Sequence, residues 1–386
     1  MPESLSKKIQ MISTPPVWVD TLPKLQNLIE TLSGEAMISV DTESDSLYSY
    51  FEKVCLIQIS TLQADYLIDP LAVDVSTLAD TFANPAIQKI FHAAEYDILS
   101  LKRDYDFTFV NLFDTMIAAR ILGWPRYGLG AILAENFGVN LDKRFQRYNW
   151  GKRPLSTAAL NYARLDTHYL FSLRQLQQEQ LVYHRQEREA YEAFERQTQL
   201  CPSPKTFNPN DFWRVKGSRD LTPPQQAILR ELFVLRDKIA RKIDRPPFKV
   251  LNDSVMIELA TIQPESIEEL KPIKGLGKQL FKYNSQELLK AISRGQNALP
   301  PRYQPRKNHR PDDATLQRYE TLRRWRNKLA LKRGVEPDVI ISNGTLMHIA
   351  RYNPQNFRAL TAINKLGDWQ REKYGQALLK VLNKMS

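Results

Sequence analysis

Residues 36–69 read AMISVDTESDSLYSYFEKVCLIQISTLQADYLID, and this stretch decides the fold. AMISVDTE (36–43) alternates and is β-rich up to its acids, which predicts a half-buried strand. VCLIQIS (54–60) is almost continuously apolar and predicts a strand buried on both faces. DYLID (65–69) predicts a third strand, closing a meander. Asp41 and Glu43 lie two apart in the first strand. Side chains alternate along a strand, so both acids project to one side and Thr42 points away. Two carboxylates on one face are costly to keep ionised together unless a cation joins them.

Working outward, AIQKIF (86–91) predicts a further strand and EYDILSLKR (95–103) a helix with Asp97 in its first turn. DTMIAARIL (114–122) and residues 128–137 predict short helices, the second ended by Gly138. Residues 156–181 predict one long helix with Leu160, Ala163, Leu170, Leu173 and Leu176 on its apolar face. Within it Tyr162 and Asp166 stand four apart and share a face. Strands followed by helices predict an α/β layer fold for this half.

Pro202, Pro204 and Pro209 mark a linker, after which the pattern is helix and loop. A second proline-rich and basic stretch covers 298–311. The segments around it repeat: RDKIARKIDRPPFKVLNDSVMIELA (236–260) lies over RNKLALKRGVEPDVIISNGTLMHIA (326–350) at an offset of 90 residues. Two copies of one small helical domain account for this. The organisation is therefore 1–200 as an α/β domain, 201–297 as a helical domain with its leading linker, 298–311 as linker, and 312–386 as a second helical domain.

The 386 residues carry a net charge of +11, unevenly divided. Residues 1–200 hold 19 basic and 25 acidic side chains, whereas 201–386 hold 35 basic and 18 acidic. An acidic half suits a metal site and a basic half suits a polyanion. No apolar run reaches membrane-spanning length, the N-terminus lacks an apolar signal core, and two cysteines make no disulfide framework. These features exclude membrane, secreted disulfide-rich and structural zinc classes, and a cytoplasmic setting is expected.

Asp41, Glu43, Asp97 and Asp166 are hard oxygen donors without nearby Cys or His, a set that favours Mg²⁺ or Mn²⁺. A carboxylate cluster holding two such ions supports in-line attack on a phosphodiester. The phenol of Tyr162 is a weak base at neutral pH, but it can hydrogen-bond and aim a water molecule.

VDTE, FHAAEYD and YARLD resemble the three exonuclease motifs of the DEDD superfamily, tyrosine subtype. VCLIQIS, LFDTMIAARILG and NWGKRPL, with Asn149 where an acid is common, resemble the ribonuclease D family. The paired repeats resemble the HRDC domain. The resemblance implies a ribonuclease H-like mixed sheet flanked by helices, followed by two small all-α domains. It implies that Asp41, Glu43, Asp97 and Asp166 bind two divalent ions, Mg²⁺ or Mn²⁺, and that Tyr162 positions the nucleophile. The implied reaction is 3′–5′ trimming of RNA with a free 3′ end, chiefly tRNA precursors, releasing nucleoside 5′-monophosphates. A DNA-directed 3′–5′ exonuclease and a non-catalytic RNA-binding scaffold are the alternatives.

Lys143, Arg153 and Arg126 are candidates for phosphate contacts, and Trp124, Tyr127 and Trp150 for base stacking. Core packing is the stronger reading for Trp150. The basic residues of the two repeats, Arg236 to Arg245 and Arg323 to Arg333, form a possible second grip on RNA.

Overall fold

The computed structural model describes residues 14–142, 144–303 and 311–384. The chain divides into two compact units. One comprises residues 1–43, 54–202 and 309–386; the other comprises 44–53 and 203–308.

The first unit is built on a mixed six-stranded sheet in the order β1-β4-β3-β2-β5-β6. Its strands are β1 (Val17–Val19), β2 (Met37–Ser44), β3 (Val54–Ser60), β4 (Asp65–Ile68), β5 (Gln88–Phe91) and β6 (Leu112–Asp114). β3 and β4 pair antiparallel, with Gln58 opposite Leu67, as expected for the meander. β2 and β5 pair parallel over Met37–Ser39 only. The carboxylates of β2 therefore lie beyond the end of that pairing. β3 is buried at every position, as its apolar run predicts.

Helices α1 (Leu22–Ser33), α2 (Ala79–Ala83), α3 (Glu95–Tyr105), α4 (Thr115–Ile121) and α5 (Leu129–Phe137) flank the sheet. The long helix expected over 156–181 is instead three pieces: α6 (Thr157–Ala163), α7 (Leu165–His168) and α8 (Leu170–Tyr183). Side chains compete with its backbone ladder. Thr167 Oγ1 donates to the Arg164 carbonyl, and Ser39 Oγ donates to the Thr167 carbonyl. Arg164 and Tyr169 keep right-handed helical dihedrals, so the path of the helix continues through both breaks. α9 (Glu187–Thr198) closes this part of the unit.

Helical elements of the two repeats begin at a constant spacing of 90 residues. α10 (Pro223–Lys242), α11 (Pro247–Val250), α12 (Asp253–Ile262), α13 (Ile267–Leu270) and α14 (Lys278–Gln296) form the first copy. α15 (Asp313–Arg333), α16 (Pro337–Ile340), α17 (Asn343–Tyr352), α18 (Phe357–Thr361) and α19 (Asp368–Asn383) form the second. One buried arginine staples each copy at equivalent atoms. Arg236 donates to the Leu251 carbonyl and to Asp253; Arg326 donates to the Ile341 carbonyl and to Asn343. Both arginines were candidates for an RNA grip, and the structure corrects that: each is almost fully buried and holds its own domain together. In the first copy a Cβ on Gly295 would fall 2.4 Å from Ile228 Cα, so only glycine lets α14 lie this close to α10.

The second copy shares the first unit with the sheet domain. Arg333 on α15 donates to both carboxylate oxygens of Glu189 on α9, at 2.9 and 2.8 Å. Arg120 on α4 bonds to Glu336 and Asp338, and the Trp369 amide donates to Glu192 at 2.6 Å. Val339 packs against the sheet domain's core. Among the described residues, no helix is long and apolar enough to cross a membrane.

Candidate active site

Three separate elements deliver the acids. β2 carries Asp41 and Glu43, the first turn of α3 carries Asp97, and α7 carries Asp166. Their electrostatics place them together. Burial, then the charges of Asp97, Asp166 and Glu43, holds the Asp41 carboxyl well above the usual carboxylate range. Burial with Asp166 and Asp97 does the same to Glu43. Burial pushes Asp97 up to about 7, and burial with Asp97 pushes Asp166 up to about 7. Tyr162 is raised by burial and by the charges of Asp166, Glu43 and Asp41. Its ring rests on Phe145 and Trp150, at centroid distances of 5.5 and 6.2 Å, which fixes the phenol beside the acids.

Among the described residues, none of the four acids enters an ion pair. Arg164 and His168, the nearest basic groups in the chain to Asp166, are both committed elsewhere. Arg164 donates through Nε and Nη2 to Asp65, and His168 Nδ1 lies 2.9 Å from the same carboxylate. Asp97, buried, and Asp41, Glu43 and Asp166, partly buried, repel one another and could serve as donors to a hard divalent cation. They are gathered but not closed: among the described residues, no three His, Cys, Asp or Glu side chains have the spacing of a finished metal cage.

Thr42 has a role that strand alternation does not show. It faces away from Asp41 and Glu43, yet it is not idle: its Oγ1 donates to Asp97 Oδ1 at 2.5 Å and its amide donates to the same oxygen at 3.1 Å. Asp97 is thereby fixed to the strand that carries the other two acids. Asp114 is a second residue that sequence reasoning did not single out. It caps α4 through the amides of Met116 and Ile117, and it also accepts from the amides of Ala93 and Ala94 just before α3. One carboxylate thus sets the start of the helix that presents Asp97. The N-cap position before an apolar helix was a visible signal; the bonds to residues 93 and 94 were not.

The expected substrate contacts fare less evenly. Arg153 is corrected: all five of its N–H groups are spent internally. They reach Asp69 twice and the carbonyls of Trp150, Lys152 and Cys55. Replacing it by Ala strands the buried Asp69 carboxylate and is expected to cost about 3–5 kcal/mol of stability. Arg153→Lys is expected to recover little, because the planar fork is lost. Chemical denaturation measures both. Trp124 is also corrected: it packs against the core and donates from Nε1 to Gln180 at 3.0 Å. Trp150 is buried at 2% exposure, as the packing reading expects. Tyr127 donates to Glu336 at 3.2 Å beneath the Arg120 guanidinium. Arg126 is exposed, with a 3.4 Å ion pair to Glu135. Lys143 lies outside the described residues.

Comparison with known proteins matches a 3′–5′ exonuclease family over residues 16–181 and the HRDC domain family over residues 225–292 and 315–382. The two HRDC matches are again 90 residues apart. The chain is 35% identical over 269 residues to the exosome complex exonuclease RRP6 of Saccharomyces cerevisiae, covering 65% of this chain and 37% of that one. It is 28% identical over 302 residues to ribonuclease D of Acidiphilium cryptum, covering 78% and 76%. It spans about a third of the length of the exosome-type relatives it matches. Among solved structures, the catalytic core of RRP6 from Trypanosoma brucei superposes with a TM-score of 0.70 at 29% identity, over 74% of this chain and 82% of that one. Escherichia coli RNase D shares the fold over 96% of this chain and 99% of that one, with a TM-score of 0.66 at 24% identity. The chain is therefore a homologue of ribonuclease D and Rrp6, carrying a 3′–5′ exonuclease domain of the DEDD superfamily ahead of two HRDC domains.

Proposed function

We propose that the protein is a divalent-metal-dependent 3′–5′ exoribonuclease. It trims the 3′ ends of structured RNA precursors, chiefly tRNA, in the cytoplasm and releases nucleoside 5′-monophosphates. The observation that carries this reading is the cluster of four acids, delivered by three elements, none of which has an ion-pair partner among the described residues. Two ions, Mg²⁺ or Mn²⁺, would supply an activated water and stabilise the leaving oxygen. Asp41, Glu43 and Asp166 would hold one ion, and Asp97, seated on Thr42, would support the other together with Asp41. Tyr162 orients the attacking water through its phenol and, with a raised pKa, stays protonated as a donor at neutral pH. The exonuclease domain occupies 1–200 and the HRDC domains 201–297 and 312–386, joined by 298–311.

The test is digestion of matched RNA and DNA labelled at the 5′ end, with Mg²⁺ or Mn²⁺ and with EDTA. The reading expects a ladder of progressively shortened RNA, with 5′-monophosphates released, and no reaction in EDTA. Faster degradation of DNA, or digestion that survives chelation, contradicts it.

The same cluster sets a pH dependence. Asp97 and Asp166 titrate at about 7 when folded against an ordinary 3.8. Between those values the folded chain holds protons that the unfolded chain has released. Stability of the metal-free protein therefore falls as pH rises through that window. Thermal midpoints in EDTA are expected to drop from about pH 5 to about pH 7.5, and added Mn²⁺ is expected to raise the midpoint most at the upper end.

A further inference from the structure

The two HRDC copies share one ancestor pattern, but the same corner differs between them. Residues 241–250 of the first copy read RKIDRPPFKV; the equivalent residues 331–340 of the second read LKRGVEPDVI. The first corner carries four cations and one acid, the second two of each. In the second copy the corner is consumed by docking: Arg333 takes Glu189, while Glu336 and Asp338 take Arg120. Gly367 marks how closely that copy is seated, since a Cβ there would fall 2.0 Å from the Glu192 carboxylate. Its counterpart Gly277 has nothing within 4 Å.

In the first copy the corner instead gathers the loop 44–53, which belongs to the same compact unit. Asp244 accepts the amides of Tyr50 and Phe51 at 2.9 and 3.0 Å, and Tyr50 donates its hydroxyl to Asp237 at 2.7 Å. Lys249 sits 3.8 Å above the Tyr48 ring, and Arg241 5.5 Å above Tyr50. These contacts order aromatic rings among cations without neutralising them. Phe51 and Phe248 remain 57% and 55% exposed. Lys242, Arg245 and Lys249 are exposed, and among the described residues none of the three forms an ion pair. Exposed rings interleaved with uncompensated cations are the chemistry that grips a single strand, rings for bases and cations for phosphates.

We infer that the HRDC copies divide their labour. The second is a docking module, and the first, with loop 44–53, is a binding platform for single-stranded RNA centred on Phe51, Phe248, Lys242, Arg245 and Lys249. This rests on the RNA substrate proposed above.

The test uses the full chain with Asp41→Asn to prevent cleavage, and fluorescence anisotropy with a labelled oligoadenylate across a salt series. K242E/R245E/K249E is expected to weaken binding more than tenfold and to flatten the log–log salt slope by about 2, since single strands give about 0.7 per phosphate contact. F51A/F248A is expected to weaken binding about fivefold or more with the slope unchanged, because stacking carries little salt dependence. K328E/K332E, on exposed positions of the second copy, is expected to change little. All carry thermal midpoints as folding controls. Unchanged affinity and slope in folded K242E/R245E/K249E and F51A/F248A, or an equal loss in K328E/K332E, overturns the division. Digestion by the unsubstituted chain is scored separately, so absence of nuclease activity would count against the proposed function and not against the platform.

Discussion

Asp41→Asn is expected to abolish turnover, by about 10³-fold or more, while making the metal-free protein more stable. The two effects share one cause. Asp41 is buried among Asp97, Asp166 and Glu43 and receives repulsion from all three. An amide of the same shape removes that repulsion in the absence of metal. It also removes one of the anionic donors proposed to hold the cations, and several kcal/mol of transition-state stabilisation are expected to go with it. The expected signature is a higher thermal midpoint in EDTA, a smaller rise on adding Mn²⁺, and no shortening of labelled RNA. A substitution that lowered both activity and metal-free stability would point to an ordinary structural acid. Functional sites commonly trade stability for chemistry in this way.

The second large effect is expected at Arg333. Its guanidinium meets the Glu189 carboxylate and also donates to Tyr374 at 2.7 Å. Glu189 is 5% exposed, and burial pushes its carboxyl up even though Arg333 pulls it down. Arg333→Ala leaves that carboxylate buried without a partner, at an expected cost of about 3–5 kcal/mol. The loss falls where the second HRDC copy meets the exonuclease domain, so a separate, earlier unfolding transition is expected for that copy. Arg333→Ala combined with Glu189→Gln removes the orphaned charge and is expected to regain part of the loss. A double-mutant cycle by calorimetry checks this; strictly additive losses contradict it.

How much of this was legible in the sequence depends on the range of the interactions. The meander, the strand before Asp97 and the helices from 95 and 128 follow from local alternation and periodicity, and the structure has them. β1, only Val17–Val19, is too short to show a period. The long helix over 156–181 looked continuous because Leu160, Ala163, Leu170 and Leu173 are helically spaced. What breaks its ladder is Ser39, 128 residues from its partner Thr167. The same limit applies at the site. That Asp41 and Glu43 share a face is a property of one strand. That Thr42 holds Asp97, or that Asp114 reaches the amides of residues 93 and 94, joins positions 55, 21 and 20 residues apart in the chain. Arg153 and Trp124 were legible as cation and aromatic, but their partners Asp69 and Gln180 lie 84 and 56 residues away. The repeat was plain from its spacing; that one copy docks while the other keeps its cations exposed appears only once Glu189 and Arg120 are in place.

The proposed activity requires the four acids to act as one cradle for divalent cations. Crystals soaked in Mn²⁺ and measured at the manganese absorption edge test this most directly. Anomalous peaks are expected beside Asp41, Glu43 and Asp166 and, for a second ion, beside Asp41 and Asp97, and both are expected to weaken in Asp41→Asn. Manganese bound only elsewhere, or a cluster that stays protonated and empty at saturating Mn²⁺ while RNA is still degraded, would contradict it.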